Sequence, residues 1–93
     1  MSKSRNKGIL VVDDEPIARQ SVRDILRLEG YDTFDAPNAM SAIKYFRMHK
    51  DSLDLIIMDL RMPGIDGIEV LKKFKEKYNR IIFIMLICYT ITL

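Results

Sequence analysis

Short, solidly apolar runs alternate along this chain with stretches whose apolar positions recur at helical spacing. A continuous apolar run suits a strand covered on both faces, and helical spacing gives a helix one buried stripe. Ile9-Leu10-Val11-Val12 is the first such run. Asp13-Asp14-Glu15-Pro16 ends it. Pro16 fits the first turn of a helix, where its missing N–H has no intrahelical partner to lose. Ile17, Ala18, Val22, Ile25 and Leu26 then carry the helical spacing, with Arg19, Arg23 and Arg27 on the other face. Gly30 supplies the left-handed residue that closes such a helix. Residues 31–36 predict a second, less apolar strand suited to a sheet edge.

Pro37-Asn38 forms the next turn, and the spacing predicts a helix over 39–50 that buries Ala42, Ile43 and Phe46. Leu53 to Met58 is apolar apart from Asp54 and stops at Asp59. Pro63 and Gly64 mark residues 60–66 as a loop. A third helix is predicted over 67–78 with Ile68, Leu71 and Phe74 inward. In Ile81–Leu93, 11 of 13 residues are apolar and the other two are threonines. That segment is too short to cross a bilayer as a helix, and its β-branched and aromatic content predicts a strand. The order is therefore β-α-β-α-β-α-β. Right-handed crossovers put helices on both faces of a parallel sheet. Placing the most apolar strands centrally gives the order 2-1-3-4. The ends of strands 1 and 3 then meet where the winding reverses, the place at which open α/β sheets bind ligands.

Composition narrows the class without naming a function. The 93 residues allow one domain, and 48% hydrophobic with 30% charged residues describes a globular chain. The net charge of +2 comes from Lys3, Arg5 and Lys7; the remainder holds 12 basic against 13 acidic residues. We divide the chain into a basic tail over 1–6 and one domain over 7–93. The apolar run after the tail is too short for a signal-peptide core. No basic stripe interleaved with aromatics supports direct nucleic-acid binding. Cys88 is the lone cysteine, which excludes an internal disulfide and suits a reducing cytoplasm.

Position then supplies the candidate chemistry. Asp13 and Asp14 follow strand 1, and Asp59 follows strand 3. Neighbouring strands lie about 4.8 Å apart, so at least two of these acids must share a small pocket. Ionised carboxylates so placed repel unless protons or a cation intervene. Mg²⁺ suits such a site, because it accepts one or two carboxylates and a phosphate oxygen while keeping several waters. An aspartate beside the metal can then attack phosphorus and become an aspartyl phosphate. Each acid alone has a plainer reading, as a complement to a helix dipole or a solvated cap. Their joint placement after central strands favours the metal pocket.

Two stretches, Val11-Val12-Asp13-Asp14-Glu15-Pro16 and Met58-Asp59-Leu60-Arg61-Met62-Pro63-Gly64-Ile65-Asp66-Gly67, resemble the signatures of response-regulator receiver domains of two-component signalling. The resemblance runs from about Lys7 to about Leu86. It implies a flavodoxin-like three-layer sandwich with parallel order 2-1-3-4, here lacking the usual fifth βα unit. It further implies that Asp59 takes a phosphoryl group from a sensor histidine kinase or phosphotransfer protein. Asp13, Asp14 and Asp59 would hold Mg²⁺, directly or through water, with the backbone carbonyl of Arg61. The family also carries Ser or Thr at the end of strand 4 and a lysine at the end of strand 5. Ile87 stands at the first of these positions, with Thr90 three residues beyond, and no lysine follows Lys77. No switch hydroxyl or lysine is therefore identified, and Tyr89 is a poor match for the family's switch aromatic.

The leading expectation is a phosphoacceptor signalling module whose own catalysis is limited to phosphorylation and dephosphorylation of Asp59. A receiver-like module or fragment that is never phosphorylated and only binds partners is the alternative. A phosphatase with an aspartate nucleophile fits less well, because it needs a second acid where Arg61 stands. Self-association through Ile81–Leu93 is expected, since a long apolar strand at a sheet edge invites pairing with another chain. His49 reads as solvated, Cys88 as packing, and Met58, Met62 and Met85 as core and loop filling.

Overall fold

Strand β1 (Gly8–Val12) is buried along its whole length, as an apolar run between two layers should be. The computed structural model describes residues 6–59 throughout, residues 69, 72, 75 and 76 in helical conformation, and the backbone of 82–86. Helix α1 (Pro16–Leu28) and strand β2 (Asp32–Ala36) follow β1. Helix α2 (Ala39–His49) runs into a 3₁₀ turn over Lys50–Ser52, then strand β3 (Leu55–Asp59). Strand β4 (Ile82–Leu86) closes the series. All pairings are parallel and the order is β2-β1-β3-β4, as the sequence predicts. Of the expected third helix, residues 69, 72, 75 and 76 are described and are helical and exposed. The expected strand over 81–93 is described only over Ile82–Leu86; the rest lies outside the described residues.

Local chemistry sets the boundaries. Gly30 ends α1 at φ 94°, the left-handed conformation its sequence position predicts. Asn38 caps α2, its Oδ1 accepting from the Ser41 N–H at 2.8 Å. At the start of β1, Asp54 pairs with Gly8 twice: its Oδ2 accepts from the Gly8 N–H and its own N–H donates to the Gly8 carbonyl, both at 2.8 Å. A side chain at position 8 would collide with the Ser52 carbonyl, so this latch requires glycine. Asp54, the one break in the third apolar run, thus ties β3 to β1.

Alternating residues of each strand feed two layers. On one face Leu10, Val12, Ala36, Leu53, Ile56 and Met58 pack with Ala42 and Phe46 of α2. On the other, Ile9, Val11 and Ile57 meet Val22 and Leu26 of α1. Helix α1 departs from its predicted face. Ile17 is 81% and Ile25 62% exposed, whereas Arg19 and Arg23 are half-buried against β2. The polar partners explain the turn. Asp35 pairs with Arg19 at 2.8 Å and Arg23 at 3.3 Å, and Arg27 donates to the Thr33 hydroxyl at 2.6 Å. This arginine stripe rolls the helix toward β2 and carries Ile17 and Ile25 away from the strands.

Candidate functional site

The acids reach one place because of strand register. Val12 of β1 pairs with Met58 of β3, so Asp13 and Asp59 sit side by side at the carboxyl ends of neighbouring parallel strands. Asp14 is the next residue of the same turn. One carboxylate oxygen from each of Asp13, Asp14 and Asp59 lies within 4.8 Å of the other two. Asp13 and Asp59 are half-buried and Asp14 is exposed, so the cluster opens to solvent. The sequence-predicted trio is therefore one cluster.

The turn that presents Asp13 is fixed at three points. Its N–H donates to the Ala36 carbonyl at 3.2 Å, which extends the β1–β2 ladder past the last strand residue. Its carbonyl accepts from Arg19 Nη1 at 2.7 Å. Its Oδ1 accepts from the Glu15 N–H at 2.9 Å. Helix α1 starts immediately afterwards, so the positive end of its dipole lies beside the acids and offsets part of their repulsion.

The donor set fits a hard divalent cation. Two oxygens on one octahedral Mg²⁺ lie about 3 Å apart when adjacent and about 4 Å apart when opposite. A trio spread over at most 4.8 Å would need only small side-chain adjustments to hold such an ion. Arg61, whose carbonyl the sequence adds to the ligand set, lies outside the described residues, as do Lys77, Ile87, Tyr89 and Thr90.

Sequence reading missed the polar support behind the acids. Arg19 bridges the Asp13 carbonyl and the Asp35 carboxylate. The available signal was an acid, Asp35, within a strand that faces a helix bearing arginines four residues apart. Two hollows of about 510 and 340 Å³ lie at the opposite, amino-terminal end of the strands. Gly30, Tyr31 and Thr33 line the first, and Ile9, Leu26 and Leu55 line the second. Neither adjoins the acids.

The sequence profile of the family described as response regulator receiver domain matches residues 9–90. The sporulation initiation phosphotransferase F of Bacillus subtilis is 37% identical over 84 residues, which cover 90% of this chain and 66% of that protein. The chain thus spans just under two thirds of that relative's length. Among solved structures, the response regulator TrrA of Thermotoga maritima in complex with Mg²⁺–BeF superposes with a TM-score of 0.82 at 40% identity, covering 90% of this chain and 71% of that one. A structure of the histidine kinase ThkA in complex with TrrA is similar with a TM-score of 0.79, at the same identity and coverage.

Proposed function

The chain belongs to the response-regulator receiver domain family, and on that premise we propose that it is a phosphoacceptor module of a two-component phosphorelay. Asp59 is the acceptor, and Asp13, Asp14, Asp59 and the Arg61 carbonyl hold Mg²⁺. The phosphoryl donor is a sensor histidine kinase or phosphotransfer protein, as the kinase complex of the similar TrrA supports. The module is cytoplasmic and comprises residues 7–93 behind a basic tail over 1–6. Among the described residues, no helix is long and apolar enough to cross a membrane.

The observation that carries this reading is the convergence of three acid oxygens within 4.8 Å at the carboxyl ends of β1 and β3. An Asp59 carboxylate oxygen attacks phosphorus, forming a P–O bond as the P–N bond of the phosphohistidine breaks. The imidazole nitrogen keeps the bonding pair. Bound Mg²⁺ supplies charge neutralisation for the carboxylate and the phosphoryl oxygens. Asp13 and Asp14 contribute charge and oxygen donors, and the half-buried position of Asp59 limits how much water crowds it.

Acetyl phosphate treatment followed by intact-mass spectrometry tests the proposal. One phosphoryl adduct is expected with Mg²⁺, and none after chelation or in Asp59→Asn. Ile87 at the expected hydroxyl position favours one second reading. In it the chain binds Mg²⁺ and partners without turnover. Mg²⁺ binding with no adduct selects that reading.

Self-association through Ile81–Leu93 belongs to the same proposal. Support comes from β4 ending the described sheet order and from the 11 apolar residues of that segment. Light scattering at tens of micromolar is expected to report more than a monomer, and a clean monomer removes the idea.

A further inference from the structure

Arg19 occupies a position that charge-pairing alone does not explain. Its Nε donates to Asp35 Oδ2 at 2.8 Å and its Nη1 to the Asp13 carbonyl at 2.7 Å. The guanidinium side chain keeps 16% of its exposure, so both bonds form in a partly desolvated place where they are stronger than in water. Asp35 lies on β2, anchored in the sheet through its register with Val11 of β1. The planar fork therefore ties the first acidic turn to the neighbouring strand through rigid, directional bonds. Among the described residues, the main chain of Asp13 is also held by the bond from its N–H to the Ala36 carbonyl.

We infer that Arg19, held by Asp35, is a positioning residue for the cation pocket: it fixes the main chain of Asp13 so that Asp13 and Asp14 meet Asp59. The inference rests on the proposed Mg²⁺ site and adds to it a residue that touches neither metal nor phosphoryl group. Partners that orient metal ligands characteristically change affinity by 10- to 100-fold when removed. Arg27 provides the matched control. It joins the same helix to the same strand, through the Thr33 hydroxyl at 2.6 Å, but lies far along the helix from the acidic turn.

The test is calorimetric titration of Mg²⁺ into the full chain and four variants: Arg19→Met, Arg19→Lys, Asp35→Asn and Arg27→Met. Urea unfolding and acetyl phosphate labelling accompany each titration. Arg19→Met is expected to weaken Mg²⁺ binding by about 10-fold or more. Arg19→Lys should recover only part of that loss, because an ammonium group lacks the planar fork. Arg27→Met should lower stability yet bind Mg²⁺ within about two-fold of the parent chain. Parent-like Mg²⁺ affinity in a folded Arg19→Met, or an equal loss in Arg27→Met, overturns the inference while leaving the metal site intact. If Arg19→Met does not fold, Asp35→Asn decides: weakened Mg²⁺ binding at retained fold supports the inference, and unchanged binding overturns it. Failure of the parent chain to bind Mg²⁺ overturns the metal site itself, and the positioning role with it.

Discussion

The two helices adjoining β1 and β2 are attached to the sheet by different physics. Helix α2 buries Ala39, Ala42 and Phe46, and its face of the sheet carries Leu10, Val12, Ile56 and Met58 in one continuous core. Helix α1 has no fully buried residue; it rests Val22 and Leu26 on Ile9, Val11 and Ile57 and is otherwise held by arginines reaching β2. Burial is non-directional and fills space. Charged hydrogen bonds fix angle and register. The helix that leads out of the acidic turn is thus the one held by directional bonds, and among the described residues α2 is the helix that buries side chains in the core. Precise attachment is found where the candidate ligand side chains of Asp13 and Asp14 would need orienting.

Phe46→Ala probes the packed side most severely. Removing a fully buried ring from the α2 face is expected to cost about 3–5 kcal/mol, read as a fall in the urea midpoint at unchanged slope. A loss near 1 kcal/mol would erase the contrast between the faces. Arg23→Met addresses the polar side. Arg23 and Asp35 keep 24% and 31% of their side-chain exposure, so the expected loss is only about 1 kcal/mol. It should shrink in high salt, since screening acts on partly exposed pairs. Ile25→Ala sharpens the comparison from its weak end. At 62% exposure this residue should change stability by less than about 0.5 kcal/mol, and a larger loss would mean that the outer face of α1 is covered in solution.

The smallest effect concerns pH. Tyr45 packs beside Phe34 and stacks on His49, with ring centroids 5.3 and 4.3 Å away. Burial pushes its hydroxyl above the usual 10.0, and the negative charge of Asp35 adds to the rise. A raised folded-state value favours the neutral phenol in the native protein. The resulting stability is fully present below pH 10 and is lost as pH climbs through the raised value. Tyr45→Phe should therefore remove a shallow alkaline decline in melting temperature. An identical decline in the variant refutes the assignment.

Much of the fold was legible because periodicity and burial are coupled. The runs 9–12 and 53–58 pointed to covered strands, and Gly30 and Pro16 marked helix ends by backbone chemistry alone. The candidate acids were legible for the same reason, since each follows a strand whose end the pattern fixes. The rotation of α1 was not. Ile17 and Ile25 carry helical spacing as well as Val22 and Leu26 do, and spacing cannot tell which half of a broad stripe meets the sheet. Asp35 and Thr33 made that choice by binding the arginines, and their distance from the helix in sequence hides the pairing.

Taken by itself, the sequence determined the order of elements, the central place of the most apolar strands, and the strand ends at which Asp13, Asp14 and Asp59 sit. Those properties follow from local propensity and from the need to cover apolar surface. Tertiary structure decided the roll of α1, the latch of Asp54 on Gly8, and the bridge from Asp35 through Arg19 to the carbonyl of Asp13. Such bonds depend on angles between elements distant in the chain, and only packed strands and helices set those angles.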